Sequence, residues 1–194
     1  MPRARRPQRT SYDKLVAALG EARAVNDEQP LPLTGEVTII GIDPGTAILG
    51  YGIIRADASR CVPVAFGAIR TTPSMSKGER LCAIHEGLSR VLAEHAPDVM
   101  AVERLFFQKN VRTAMAVGEA RGVVLLAAAQ HGVGFYEYTP TDVKMSLSGS
   151  GRADKHEVGQ MVAWALDLAE IPRPDDVADA LGIALCHLYR ARLR

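Results

Sequence analysis

Val37-Thr38-Ile39-Ile40-Gly41-Ile42-Asp43-Pro44-Gly45 decides the fold. A β-branched apolar run ends in one acid and stops at Pro-Gly turn chemistry, the pattern of a buried strand whose last residue is Asp43. Working outward, Gly50–Arg55 and Pro63–Thr71 are two further strands joined by polar residues, so three strands form an antiparallel meander. Lys77–His95 carries Leu81, Ile84, Leu88, Val91 and Leu92 at helical spacing. Asp98–Glu103 is another apolar strand, Asn110–His131 a helix rich in small residues, and Gly134–Tyr138 a fifth strand. Thr139-Pro140-Thr141-Asp142 offers an N-cap, a proline at the first helical position and an acid at the third, which opens a short helix to about Leu147. Asp154-Lys155-His156-Glu157 repeats that logic for a helix to about Glu170. A last helix begins near Asp175, its N-cap after Pro174, and runs to the end. This order predicts an α/β fold: a mixed five-stranded sheet, with a three-strand antiparallel meander plus two parallel strands, and helices on both faces.

Acids fall at telling places on that plan. Asp43 ends strand one. Glu103 ends strand four, which the crossover rule sets parallel to strand one and beside it. Asp176 and Asp179 stand three apart in the first turn of the last helix and project from one face. Strand ends and a helix N-terminus meet at the carboxyl edge of a sheet, where open α/β folds bind ligands. Each acid has a plainer explanation. Asp43 before Pro-Gly starts a turn, Glu103 faces solvent at a strand end, and Asp176 and Asp179 complement the helix dipole. As a set in this order they are specific. Four crowded carboxylates repel, and a counter-charge is needed if all are to ionise. Oxygen-only donors favour Mg²⁺ or Mn²⁺, and two such ions about 3.5–4 Å apart serve in-line phosphodiester displacement.

Composition narrows the classes. The chain has 194 residues, 47% of them hydrophobic. A chain of this length buries roughly 70% of its unfolded surface, so it builds a core without staples. Net charge is +1, and Arg3, Arg5, Arg6 and Arg9 crowd the first ten residues, so the rest is slightly acidic. Nucleic acid must therefore be met by a local patch. Lys77, Arg80, Arg104, Lys109, Arg112, Arg121, Arg152 and Lys155 are candidates for it. Cys61, Cys82 and Cys186 have neither disulfide nor zinc spacing, which points to a reducing compartment and a cytoplasmic protein. No apolar run reaches the roughly 18 residues of a membrane span, and no signal peptide is visible.

Gly41-Ile42-Asp43-Pro44-Gly45 followed by Gly50-Tyr51-Gly52-Ile53-Ile54 resembles the opening of the RuvC family of Holliday-junction resolvases. Val102-Glu103-Arg104-Leu105-Phe106-Phe107-Gln108-Lys109-Asn110 and Gly118-Glu119-Ala120-Arg121-Gly122 are similar to its central block. Asp176-Val177-Ala178-Asp179-Ala180-Leu181 resembles its closing D-x-x-D-A-L element. The resemblance covers about Val37 to His187. It implies a ribonuclease-H-like fold and a homodimeric, metal-dependent endonuclease. Such enzymes nick two strands of like polarity across a four-way DNA junction, in recombination and repair. By motif position Asp43, Glu103, Asp176 and Asp179 become the metal-binding acids, two ions per site. Some relatives carry His where Asp176 stands. Lys144 and Lys155 match lysines near the family's site and are expected on a phosphate. Phe106 is expected to stack on an unpaired base, with Lys109 and Arg112 on DNA nearby. Plainer roles stay open: surface lysines, and a core phenylalanine, for which Phe107 is the better candidate. A branch-migration motor is the partner the family implies.

Other functions compete. Gly41-Ile42-Asp43-x-Gly45-Thr46 also resembles the first phosphate motif of the sugar-kinase, actin and chaperone ATPases. Those proteins need a second such domain, which this length does not supply. A junction-binding module without nuclease activity would be expected to lose an acid, and all four positions are filled. A ribonuclease-H-type enzyme on RNA–DNA hybrids is the nearest enzymatic rival. Residues 1–36 hold the arginines, a weak helical pattern (Leu15, Val16, Ala18, Leu19, Ala22) and a turn-rich stretch. They are expected to be a flexible extension on a nuclease domain of residues 37–194. Asp13, Glu21, Asp27 and Glu28 argue against a transit peptide. An alternative is a translation start nearer Val37.

Overall fold

The computed structural model describes residues 35–104 and 111–193, with side chains from Ala114 onward in the helix that begins at Val111. The N-terminal helical pattern, Phe106, Phe107 and Lys109 lie outside the described residues, as does the Arg112 side chain. Strands β1 (Val37–Asp43), β2 (Ile48–Ala56) and β3 (Cys61–Arg70) form the expected antiparallel meander. β4 (Val99–Glu103) lies parallel to β1, and β5 (Gly134–Tyr138) parallel to β4, giving the order β3-β2-β1-β4-β5. Five helices complete the described fold: α1 (Lys77–His95), α2 (Val111–Gln130), α3 (Pro140–Ser148), α4 (Lys155–Ala165) and α5 (Asp175–Arg192).

Alternation along β1 and β4 sorts the core into two layers. Ile40, Ile42, Met100 and Val102 pack on Ile84, Leu88 and Leu92 of α1 and Val124 and Ala127 of α2. Ile39 and Val99 point the other way, to Val162 of α4 and Val177, Leu181, Leu185 and Leu188 of α5. Asp43 shares a face with Ile39 and Gly41, and Glu103 with Val99 and Ala101, so both acids end their strands on the α5 side. Two glycines let α5 lie close enough to join them. A Cβ on Gly41 would stand 2.0 Å from the Ala180 carbonyl oxygen, and one on Gly50 2.0 Å from that of Asp176. Side chains at these positions would lift the first turns of α5 off the sheet.

Two local expectations need correction. α4 was expected to reach about Glu170 and stops at Ala165. Asp167 takes φ 52, its N–H donates to the Trp164 carbonyl, and the Leu168 N–H reaches back to Ala163 at 2.8 Å. That is a Schellman ending, in which the left-handed position usually carries glycine. With Asp there, the sequence shows no stop. Asp175 was expected to cap α5. Pro174 occupies the cap without a side-chain hydrogen bond, and Asp175 is the first helical residue.

Candidate active site

β1 and β4 run in register, Ile42 beside Val102, which sets Asp43 and Glu103 next to each other at the carboxyl edge of the two central strands. The start of α5 crosses that edge and brings Asp176 from its first turn and Asp179, expected in that turn too, from the next. The crowding is visible in the electrostatics. Asp43 is pushed up to about 7, first by burial, then by the charges of Glu103, Asp179 and Asp176, against the pull of Lys155. Glu103 is raised by burial and by Asp179, with Lys155 opposing. Asp179 is raised by burial and by Asp176 and Asp175, although a hydrogen bond and the charge of Lys155 pull it down.

Lys155 supplies the counter-charge. It is the first residue of α4, whose start is fixed by a reciprocal capping box between Asp154 and Glu157. Its Nζ donates to Asp179 Oδ2 at 2.9 Å and lies 3.6 Å from Asp175 Oδ2. Burial alone would lower this ammonium, but the hydrogen bond to Asp179 and the charges of Asp179 and Asp175 carry it above its ordinary range. Lys144 approaches from α3, which is held by the Thr139–Asp142 capping box and by Arg190 Nη2 donating to Asp142 Oδ1 at 2.6 Å. Both lysines line a cavity of about 250 Å³ together with Glu103 and Asp179, above a floor of Val143, Val158 and Ile183.

Hard oxygen donors, half-buried and mutually repelling, suit a divalent cation. Among the described residues, no three acidic, histidine or cysteine side chains stand gathered as a ready-made ion site. Lys155 offsets part of this repulsion, and its ammonium stands on Asp179 Oδ2, where a cation would compete with it.

Not every expected DNA contact is free. The Arg121 guanidinium donates to Glu137 Oε1, and Lys77 Nζ sits 2.5 Å from Glu119 Oε1. Each of these cations meets an acid of its own chain, as Lys155 does. Asp175 was missed as part of the site. Its engagement with Lys155 spans twenty positions of chain and needs the α4–α5 packing to be seen. The three cysteines are free. Among the described residues no helix is long and apolar enough to cross a membrane.

Comparison with known proteins agrees with this geometry. The family model described as crossover junction endodeoxyribonuclease RuvC matches residues 39–187. The protein of that name from Alkaliphilus oremlandii is 51% identical over 151 residues, spanning 78% of this chain and 92% of that one. Its namesake from Chloroflexus aggregans is 51% identical over 152 residues, 78% and 93% of the two chains. Among solved structures, Thermus thermophilus RuvC in complex with a Holliday junction substrate superposes with a TM-score of 0.78 at 40% identity, covering 81% of this chain and 96% of that one. The yeast mitochondrial Holliday junction resolvase, at 15% identity and a TM-score of 0.59 over 92% and 85% of the two chains, shares the fold. With half the aligned residues identical across nearly the full length of such relatives, this chain belongs to the RuvC family of crossover junction endodeoxyribonucleases.

Proposed function

We propose that this chain resolves four-way DNA junctions by paired symmetric nicks, in recombination and repair, with Asp43, Glu103, Asp176 and Asp179 holding two Mg²⁺ or Mn²⁺ ions. One observation carries the reading: carboxylates from β1, β4 and α5 meet at a single sheet edge, where burial first and then their mutual charge raise Asp43 to about 7. When bound, such cations acidify an attacking water and stabilise charge on the leaving 3′ oxygen. The chain's own residues do the rest. Lys144 and Lys155, on the rim of the shared cavity, hold the scissile phosphate or its neighbour. Phe106 stacks on an unpaired base, a contact of about 1–3 kcal/mol, an assignment that rests on the family resemblance; Lys109 and Arg112 meet the DNA backbone as part of the local basic patch.

The working unit we propose is a C2 homodimer, since paired cuts on a pseudo-two-fold junction need two equivalent sites. Met115, Gly122 and Leu126 recur at helical spacing along one stripe of α2. The two large side chains are exposed, and a Cβ on Gly122 would meet nothing within 4 Å. We keep residues 1–36 as an extension and 37–194 as the nuclease domain, placed in the cytoplasm, with a branch-migration motor as further partner.

The test is cleavage of a synthetic four-way junction, a duplex and an RNA–DNA hybrid, each with Mg²⁺, Mn²⁺ or EDTA. We expect metal-dependent cutting of the junction alone. Asp43→Asn should abolish that cutting while leaving junction binding intact or tighter, because a ligand and one negative charge are lost together. Cutting by the variant at the native rate overturns the reading, and preference for the hybrid replaces it with a ribonuclease.

A further inference from the structure

Lys155 stands between two openings. One is the cavity it shares with Glu103, Lys144 and Asp179. The other, of about 200 Å³, it lines with His156, Arg173, Asp175 and Asp179. Its backbone is pinned by the α4 capping box, but its side chain is 59% exposed, so the ammonium has room to move where the main chain does not.

Asp175 and Asp179 lie four apart on α5, on one face of the helix, and they hold this ammonium unequally. The 2.9 Å contact to Asp179 is a charge-assisted hydrogen bond, while the 3.6 Å contact to Asp175 is an ion pair too long for one. Asp175 divides its carboxylate, Oδ1 accepting from Arg173 and Oδ2 facing Lys155. It is free to do so because Pro174 caps α5 without any side-chain bond. An ammonium and a divalent cation on the same carboxylate repel each other, so a cation on Asp179 loosens its hold on Lys155.

We propose that Asp175 is a positioning residue that retains Lys155 beside the acids when Asp179 turns to coordinate a divalent cation. With the acids bare, Asp179 holds the ammonium. With Asp179 engaged, Asp175 holds it within reach of the cavity where Lys144 waits for phosphate. The inference rests on the reading of Asp179 as a ligand, and it makes Lys155 a built-in competitor for the cation whose displacement Asp175 eases.

Calorimetric titration of the full chain with Mn²⁺, without DNA, tests this. Lys155→Met removes the competitor and should tighten Mn²⁺ binding about threefold or more; Asp175→Asn leaves the ammonium with Asp179 alone and should weaken it by a similar factor. In the Lys155→Met background the effect of Asp175→Asn should shrink to less than half on a logarithmic scale, and Asp175→Glu should restore native affinity. Equal effects of Asp175→Asn in both backgrounds mean a general charge effect and overturn the proposal, as does no effect in either. Asp43→Asn is the control for the parent reading. Loss of Mn²⁺ binding there keeps that reading standing whatever Asp175 does, whereas native Mn²⁺ binding by Asp43→Asn overturns both.

Discussion

Asp43 carries the strongest electrostatic signature of the site, and it sets a pH dependence with a definite sign. Its ordinary value is 3.8 and its folded value about 7. Between the two, the folded chain keeps a proton that the unfolded chain has released, so stability falls as pH rises through that window and levels off above it. Without divalent metal, Asp43→Asn should therefore melt higher than the native chain at pH 8, by on the order of 1–3 kcal/mol. The gain should vanish towards pH 4. Melting curves in chelator across that range check it, and a pH-independent difference would mean that the carboxyl keeps its ordinary value. The role of the four acids as ligands comes from the resemblance, but their place on the fold, at the ends of β1 and β4 and near the start of α5, was legible in sequence. The grip of Asp179 and Asp175 on Lys155 was not, because it is made by packing α4 against α5 and leaves no local pattern.

Elements explain why the acids meet. α5 reaches the sheet edge only because β2 offers no side chain at Gly50, where an added Cβ would stand 2.0 Å from a backbone oxygen that has nowhere to yield. Gly50→Ala should cost about 2–4 kcal/mol of stability and abolish junction cutting. Gly78→Ala, whose Cβ meets nothing within 4 Å, should leave both near native. Thermal melts beside a cleavage assay separate the two variants. β1, α1 and β5 begin and end where the sequence places them, since the β-branched run of β1, the apolar spacing of α1 and the aromatic run of β5 are local signals. α4 ends five residues early because the left-handed turn at Asp167 is imposed by Leu168 packing into the α5 layer. A propensity reading has no access to that contact.

At the scale of the whole molecule, the outer stripe of α2 carries the proposed symmetry. Leu126→Glu places a charge on that stripe and should convert a dimer to a monomer in sedimentation velocity, with the two nicks of a junction becoming uncoupled in time. A native chain that sediments as a monomer, or a variant that stays dimeric, would remove α2 from the interface. α5 matters beyond its acids. From Val177 to Leu188 all but Asp179 is buried, so the helix that delivers half the carboxylates also seals one face of the sheet. A polypeptide cut short ahead of Asp175 loses its fold and its chemistry in the same stroke.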